Sequence, residues 1–310
     1  MNQTMRDCLL SEVYELMAFD DNIYFLTADF GAPILDKIRN KFVSRFFNVG
    51  VAEQNLINLS VGLAKEGAKV FCFAIAPFIT MRCFEQIRTC ISINRSFFPL
   101  NVNLIGVGAG ISYDVSGPTH HCLEDMALIS TLPNFKIFSP SDNTYLRTIA
   151  RECVSSDCPK YIRLDSKVQP ALKFDREFFE NNDNTCAPKS RLIIENNNAS
   201  ALVVTTGFST QFISQNLLAD DLLYDHLDIS IIDSKIDEQL INCLKRYNNI
   251  ITIAEEFQHA SALNAYISRH ADKKVRSLGF KKYDFNLGGR HKIWSRQGMS
   301  VDVIKDMLKS

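Results

Sequence analysis

Glu53 stands in FFNVGVAEQN (46–55), where an apolar strand end runs into the start of a helix and no basic residue lies within six positions. Two roles suit an acid there. The first turn of a helix favours negative charge through the helix dipole. Alternatively, a carboxyl group shielded from water can hold or share a proton with a bound ligand. A second group of reactive side chains lies in GVGAGISYDVSGPTHHCLEDMALI (106–129), whose four glycines, with Ser112, Ser116 and Thr119, mark a long loop between a strand and a helix. His120 and His121 sit where that helix begins. A histidine there can donate to a substrate oxygen or move a proton, or the pair can cap the helix and fill the interior. Adjacent histidines point apart, and no third ligand is spaced to complete a metal site. GVGAG is not a dinucleotide fingerprint, because GxGxxG is incomplete and the following acid is missing at the required distance.

Two further stretches carry charge or aromatic surface into the same setting. Arg163, in KYIRLDSK (160–167), lies within a short strand between Ile162 and Leu164. A strand arginine needs an anion, which is either a structural acid or a bound ligand. Phe78 and Arg82 lie in FAIAPFITMRCFEQIR (73–88). Aromatic rings at a strand-to-helix loop belong to the core or stack on a planar heterocycle.

Positioning these groups requires a sheet. Short apolar runs at 22–28, 45–50, 69–75, 102–108, 135–140 and 160–164 read as strands, and 51–66, 78–94, 122–132 and 142–155 between them read as helices. The opening segment, with Met5, Cys8, Leu9, Val13 and Leu16 near helical spacing, reads as an amphipathic helix rather than a signal peptide. Continuous apolar strands alternating with helices predict a parallel sheet covered on both faces, and open sheets of this kind place ligands at the carboxyl ends of their strands. From 168 to 198 the rhythm breaks into a polar, Asn-rich linker or irregular crossover. A second series of strands then follows at 201–207, 227–233, 249–256 and 274–280. The expectation is therefore two doubly wound α/β domains, at 1–167 and 199–310, joined by that linker.

Composition excludes several classes. The 310 residues carry a net charge of −1, with 46% hydrophobic and 22% charged residues. That balance gives no electrostatic footprint for nucleic acid or an anionic membrane, and no apolar run approaches a bilayer span. Nine cysteines without a CxxC pair read as free thiols in a reducing compartment, hence the cytoplasm.

Together, FFNVGVAEQNLINLSVGLAKEG, IAPFITMRCFEQIR, SGPTHHCLEDMALI, FSPSDN and YIRL resemble, in order and spacing, the carboxyl-terminal half of transketolase-type enzymes that depend on thiamine diphosphate. The resemblance covers 1–167 as the pyrimidine-binding domain and 199–310 more weakly as the carboxyl-terminal domain. It implies that Glu53 bonds the N1′ atom of the cofactor's aminopyrimidine and favours its imino tautomer. It further implies cofactor contacts for Asp29 and Phe30 in TADF, stacking by Phe78, and a positive position near the cofactor for Arg82. His120 would contact a substrate hydroxyl or carbonyl oxygen, with His121 beside it, and Arg6 and Arg163 would meet phosphate or acid groups. An acid that relatives carry in this loop to read a substrate hydroxyl is replaced by Ser116, and EEFQHASALNAYI stands where relatives have a glycine-rich EEH…GGLG pattern.

The family's GDG…Asn signature for metal and diphosphate is not found in the sequence. The resemblance then implies a split enzyme. An amino-terminal subunit would hold the diphosphate and Mg2+, and two copies of each chain would form a heterotetramer. The expected reaction is transfer of a two-carbon ketol unit from a ketose to an aldose. Other readings are a 1-deoxyxylulose-phosphate-synthase-like subunit, a 2-oxoacid dehydrogenase E1 β-like subunit, or a non-catalytic partner.

Overall fold

The computed structural model describes residues 3–179, 186–196, 198–217, 223–235 and 237–309. Two α/β sheets organise them. The first contains β1 (Ile23–Thr27), β2 (Phe46–Asn48), β3 (Lys69–Ile75), β4 (Val102–Val107), β5 (Lys136–Phe138) and β6 (Lys160–Leu164), in spatial order β5-β6-β4-β3-β1-β2. All of these neighbours pair in parallel. The central strands β3, β4 and β6 are apolar and buried along most of their length, as parallel strands covered on both faces require.

Helices cover both faces. On one, α1 (Met5–Phe19) packs against α2 (Pro33–Lys41) and α6 (Leu146–Ser155). Leu9, Val13 and Met17 of α1 join Phe25, Phe73 and Ile162 of the sheet in one apolar cluster. On the other, α3 (Glu53–Lys65) lies against β3 and buries Leu56, Ile57, Val61 and Ala64. The segment predicted as a single helix over 78–94 winds mainly as a π-helix: Phe78–Arg82 and Ile87–Ile93 flank a short α4 (Phe84–Gln86). Such wide turns mark functional sites in many proteins. The helix expected over 122–132 is shorter, α5 (Asp125–Ser130), because the preceding loop runs on past His121.

The second sheet runs β13-β12-β9-β10-β8-β7. Its parallel part comprises β9 (Ala201–Thr205), β10 (Tyr224–Ile229), β12 (Asn249–Phe257) and β13 (Val275–Phe280). It is flanked by α7 (Phe208–Asn216), α8 (Glu238–Leu244), α9 (Ala262–His270), α10 (Arg290–Arg296) and α11 (Val301–Lys309). Residues 168–198, read as a linker, carry β7 (Arg176–Phe178) and β8 (Ser190–Ile194), which extend this sheet in antiparallel fashion. Positions 180–185 and 197 of that segment lie outside the described residues.

The single strand expected at 227–233 is two. After β10 the chain passes Ser230 and forms β11 (Ile231–Ile232), which pairs antiparallel with β5 at the edge of the first sheet. One continuous stretch of backbone therefore belongs to both sheets, and an apolar cluster that includes Leu104, Met126, Leu227 and Leu263 runs across the junction. Among the described residues, no helix is long and apolar enough to cross a membrane.

Candidate active site at the carboxyl ends of four strands

β4, β3, β1 and β2 are neighbours, and each delivers a chemically active residue just beyond its carboxyl end. Asp29 follows β1, Glu53 follows β2, Phe78 and Arg82 follow β3, and His120 lies in the long loop after β4. The turn after β1 is tight: Asp29 adopts φ 50°, in the left-handed region. It is held by Asn48 at the end of β2, whose Oδ1 accepts from the amides of Asp29 and Gly50, both at 3.0 Å. Asn48 thus ties two strand ends together and fixes the entry to α3.

Glu53 occupies the first position of α3 and is 3% exposed. Its Oε2 accepts from Nη1 of Arg82 at 2.6 Å. Arg82 is exposed and lies over the half-buried Phe78 ring, 4.5 Å from its centroid. The His120 ring meets Phe78 edge-on at 5.6 Å, and Tyr113 stands edge-on to His120 at 6.4 Å. His120 Nδ1 lies 3.1 Å from Thr119 Oγ1, so Nε2 is the ring nitrogen left for a ligand. Phe30 stacks on Phe73, 5.0 Å between centroids, and its carbonyl accepts from Thr27 Oγ1. The arrangement is a buried carboxylate, an aromatic face and an imidazole, with a planar cation between the first two.

Three expected substrate contacts are placed otherwise. Arg163 is turned into the interior, 4% exposed. Nε bonds Asp125 Oδ2 at 2.8 Å, while Nη2 bonds the carbonyls of Cys122 and Glu255. A guanidinium that bonds a buried acid and two carbonyls is a strut between the domains. His121 is also buried, 4% exposed. Burial holds its imidazole below the ordinary value, against the pull of Glu255, Asp284 and Asp114. Its Nε2 is buried without a hydrogen-bond partner among the described residues. Ser116 is exposed and closes a turn with its amide on the Tyr113 carbonyl, outside the Glu53–His120 group.

Arg6 is half-buried at the start of α1 and paired with Asp7 at 2.8 Å. It lies near the His120 loop. Burial raises the Tyr113 phenol, and the Arg6 charge opposes that rise. Sequence reasoning missed Asn48 and Tyr113. Asn48 carried a weak signal, a polar residue ending an apolar strand, whereas Tyr113 carried none because its role depends on how the loop folds back. Its ring packs beside Gly108, which adopts φ 100°, and a Cβ there would overlap Tyr113.

An open α/β sheet with convergent polar and aromatic groups at its strand ends is the arrangement of a ligand-binding enzyme site. A family model described as the transketolase pyrimidine binding domain matches residues 1–168. The chain therefore belongs to the transketolase pyrimidine-binding family. It is 25% identical over 305 residues to a subunit of an apulose-4-phosphate transketolase from Phocaeicola vulgatus, covering 96% of this chain and 94% of that one. It is 24% identical over 294 residues to a putative transketolase C-terminal section from Methanocaldococcus jannaschii, covering 92% and 85%. A solved structure described as a split gene transketolase, inactive beta4 tetramer, superposes with a TM-score of 0.79 at 22% identity, covering 100% of this chain and 98% of the other. That likeness confirms the two-part α/β fold.

Proposed function

We propose that this chain is the pyrimidine-binding subunit of a split transketolase, moving a two-carbon ketol unit from a ketose to an aldose. The observation that carries the reading is the gathering of Glu53, Phe78, Arg82 and His120 on adjacent strand ends. Support for a split enzyme comes from relatives matched along most of their length, one a transketolase subunit and the other a C-terminal section.

The residues present fit the aminopyrimidine half of thiamine diphosphate. Arg82 shows why: its guanidinium, a flat N–H donor, simultaneously bonds Glu53 and covers the Phe78 ring. A planar ring with a hydrogen-bonding nitrogen is matched to the same two partners. Thiamine diphosphate, when bound, supplies an acidic carbon that serves as nucleophile and electron sink for carbon–carbon cleavage. Glu53 would hold a proton against the ring nitrogen, with its burial keeping water from competing for the carboxyl. Phe78 offers a stacking face, Phe30 an apolar wall and Asp29 a carboxylate at the mouth of the site. Arg82, with an exposed guanidinium, would swing aside or share the carboxyl. His120 Nε2 would donate to a substrate carbonyl or hydroxyl oxygen, its ring held by Thr119, Phe78 and Tyr113. Arg6, near the same loop, would meet an acid group of the substrate.

The diphosphate and Mg2+ are assigned to an amino-terminal partner, in a heterotetramer with two copies of each chain. Exposed apolar side chains on the elements that flank and carry Glu53 support a partner: Phe47 of β2, Val51, and Leu59 of α3 are 42%, 74% and 46% exposed. Free cysteines suit the cytoplasm. The test is to purify the chain with its partner, add thiamine diphosphate and Mg2+, and offer xylulose 5-phosphate with an aldose, or pyruvate. Two-carbon transfer without carbon dioxide release is expected. Carbon dioxide released from pyruvate, with no ketol transfer, would replace this reading by the synthase-like one.

A further inference from the structure

The loop that carries His120 is built into the second domain, not only into its own. Its amides at Gly108 and Ala109 bond the Leu164 carbonyl of the first sheet. Beyond that point its anchors change sides. The Ile111 amide donates to Glu255 Oε2 at 3.2 Å, and the side chains of Ile111 and Leu123 belong to the apolar cluster of the second domain, with Val203, Ile251 and Trp294. Gly110 adopts φ 58° and lies against Glu255, where a Cβ would overlap the carboxylate.

Glu255 is held rigidly. Arg290 grips it with two donors, Nε to Oε1 at 2.7 Å and Nη2 to Oε2 at 2.5 Å, while Trp294 Nε1 donates to Oε1 at 2.6 Å. The third arm of Arg290, Nη1, pairs with Asp165 at the end of β6, so the guanidinium spans both domains. The Arg290 amide closes the clasp on the loop itself, donating to Asp114 Oδ2 at 2.8 Å, where Lys167 also pairs at 2.5 Å. Burial raises the Glu255 carboxyl, but Arg290, Trp294 and the Ile111 amide outweigh it and leave it below its ordinary value. A forked guanidinium is suited to this task because it fixes two carboxylates in one geometry.

We infer that Glu255 and Arg290 are positioning residues: through Ile111 and Asp114 they hold the loop in the shape that presents His120 to the substrate. The second domain thereby acts on the reaction without touching the reacting atoms. The consequence for catalysis rests on the reading of His120 proposed above; the mechanical consequence does not.

Glu255→Gln keeps the side-chain shape and removes the charge that Arg290 grips. In the full chain assembled with its partner, hydrogen exchange is read over 108–123 and over 53–65. Exchange over 108–123 should rise about tenfold while 53–65 is unchanged. The donor KM should rise or kcat fall by about tenfold, with thiamine diphosphate binding unaltered. Asp114→Asn, which weakens the clasp from the loop side, should give the same pattern in smaller degree and serves if Glu255→Gln does not fold. Unchanged exchange over 108–123, or a uniform rise across the whole chain, would overturn the inference. Local loosening with unaltered donor constants would overturn the positioning role. Should the wild-type pair turn over no sugar, the proposed reaction fails, while the exchange result still decides the clasp.

Discussion

Each α/β unit places a buried glutamate beside the start of a helix, and the two glutamates meet opposite fates. In the second unit, Glu256 lies one residue before the end of β12 and turns onto α9. Its carboxylate accepts from Ser261 Oγ at 2.9 Å and from the amides of Ala262 and Leu263. Burial raises that carboxyl, and the helix amides and Arg163 pull it back. The helix start that elsewhere binds anions is here filled by the chain's own carboxylate. In the first unit, Glu53 is equally buried but begins its helix rather than capping it, and its partner is Arg82, whose side chain is exposed. Glu256 completes the fold, whereas Glu53 pairs with a side chain open to solvent, as its proposed cofactor role requires. A buried acid therefore signals function by what its partners are, not by burial alone.

Substituting the two acids breaks the comparison most sharply. Glu53→Ala should lower turnover of the assembled enzyme by about 10²–10⁴-fold, the usual scale for proton-transfer assistance, with assembly intact by gel filtration because Arg82 turns to water. Near-normal turnover would return Glu53 to the role of a helix-dipole acid. His120→Ala removes a hydrogen bond to substrate worth about 1.5–3 kcal/mol if charge-assisted, and should cost roughly 10–100-fold in kcat/KM for the donor. Unchanged constants would remove His120 from the site. Glu256→Ala should do the reverse of Glu53→Ala. It strips three donors of their acceptor, at about 1–3 kcal/mol of stability by urea unfolding, and leaves the turnover of the folded fraction unchanged. A catalytic defect without loss of stability would contradict the contrast drawn between the two acids.

The last effect concerns pH. His226, fully buried in β10, is pushed down to about 3 by burial and by Arg191. Its Nε2 shares a hydrogen bond with Thr205 Oγ1. The unfolded chain takes up a proton below its ordinary value of 6.5, whereas the folded chain resists protonation until about 3. Stability is therefore full above that upper value and falls as pH drops through the window, by up to about 1.4 kcal/mol per pH unit. Urea unfolding at pH 7.5 and at pH 5 should show the loss, and His226→Gln should flatten it. Equal slopes for the two proteins would assign acid sensitivity elsewhere.

The sequence was most readable where packing leaves the chain no choice. β3 and β6 lie where their apolar runs predicted, because a strand buried on both faces must be largely apolar, with any charge paired, as Arg163 of β6 is with Asp125. Helix α2 and the short strands β7 and β8 were not foreseen: α2 is mostly polar, and three- to five-residue strands within an Asn-rich segment carry too little pattern to separate from a loop. The split at Ser230 was hidden because ISII is equally apolar on either side of the change of sheet. In the site, the resemblance pointed to Glu53, Phe78, Arg82 and His120, and the fold brings them together. The burial of Arg163 and His121 was not legible, because a charged or imidazole group looks alike in sequence whether it meets a ligand or a neighbouring domain. The clasp residue Arg290 lies more than a hundred residues beyond the loop it supports, a pairing no local pattern encodes.

The claim under all of this is that Glu53 faces a cofactor held jointly with a second polypeptide. Titration calorimetry with thiamine diphosphate and Mg2+ tests it directly, using this chain alone, the partner alone and the two mixed. The account predicts saturable binding by the mixture, weakened by Glu53→Ala, and none by this chain alone. Tight binding by this chain alone, indifferent to Glu53→Ala, would contradict it.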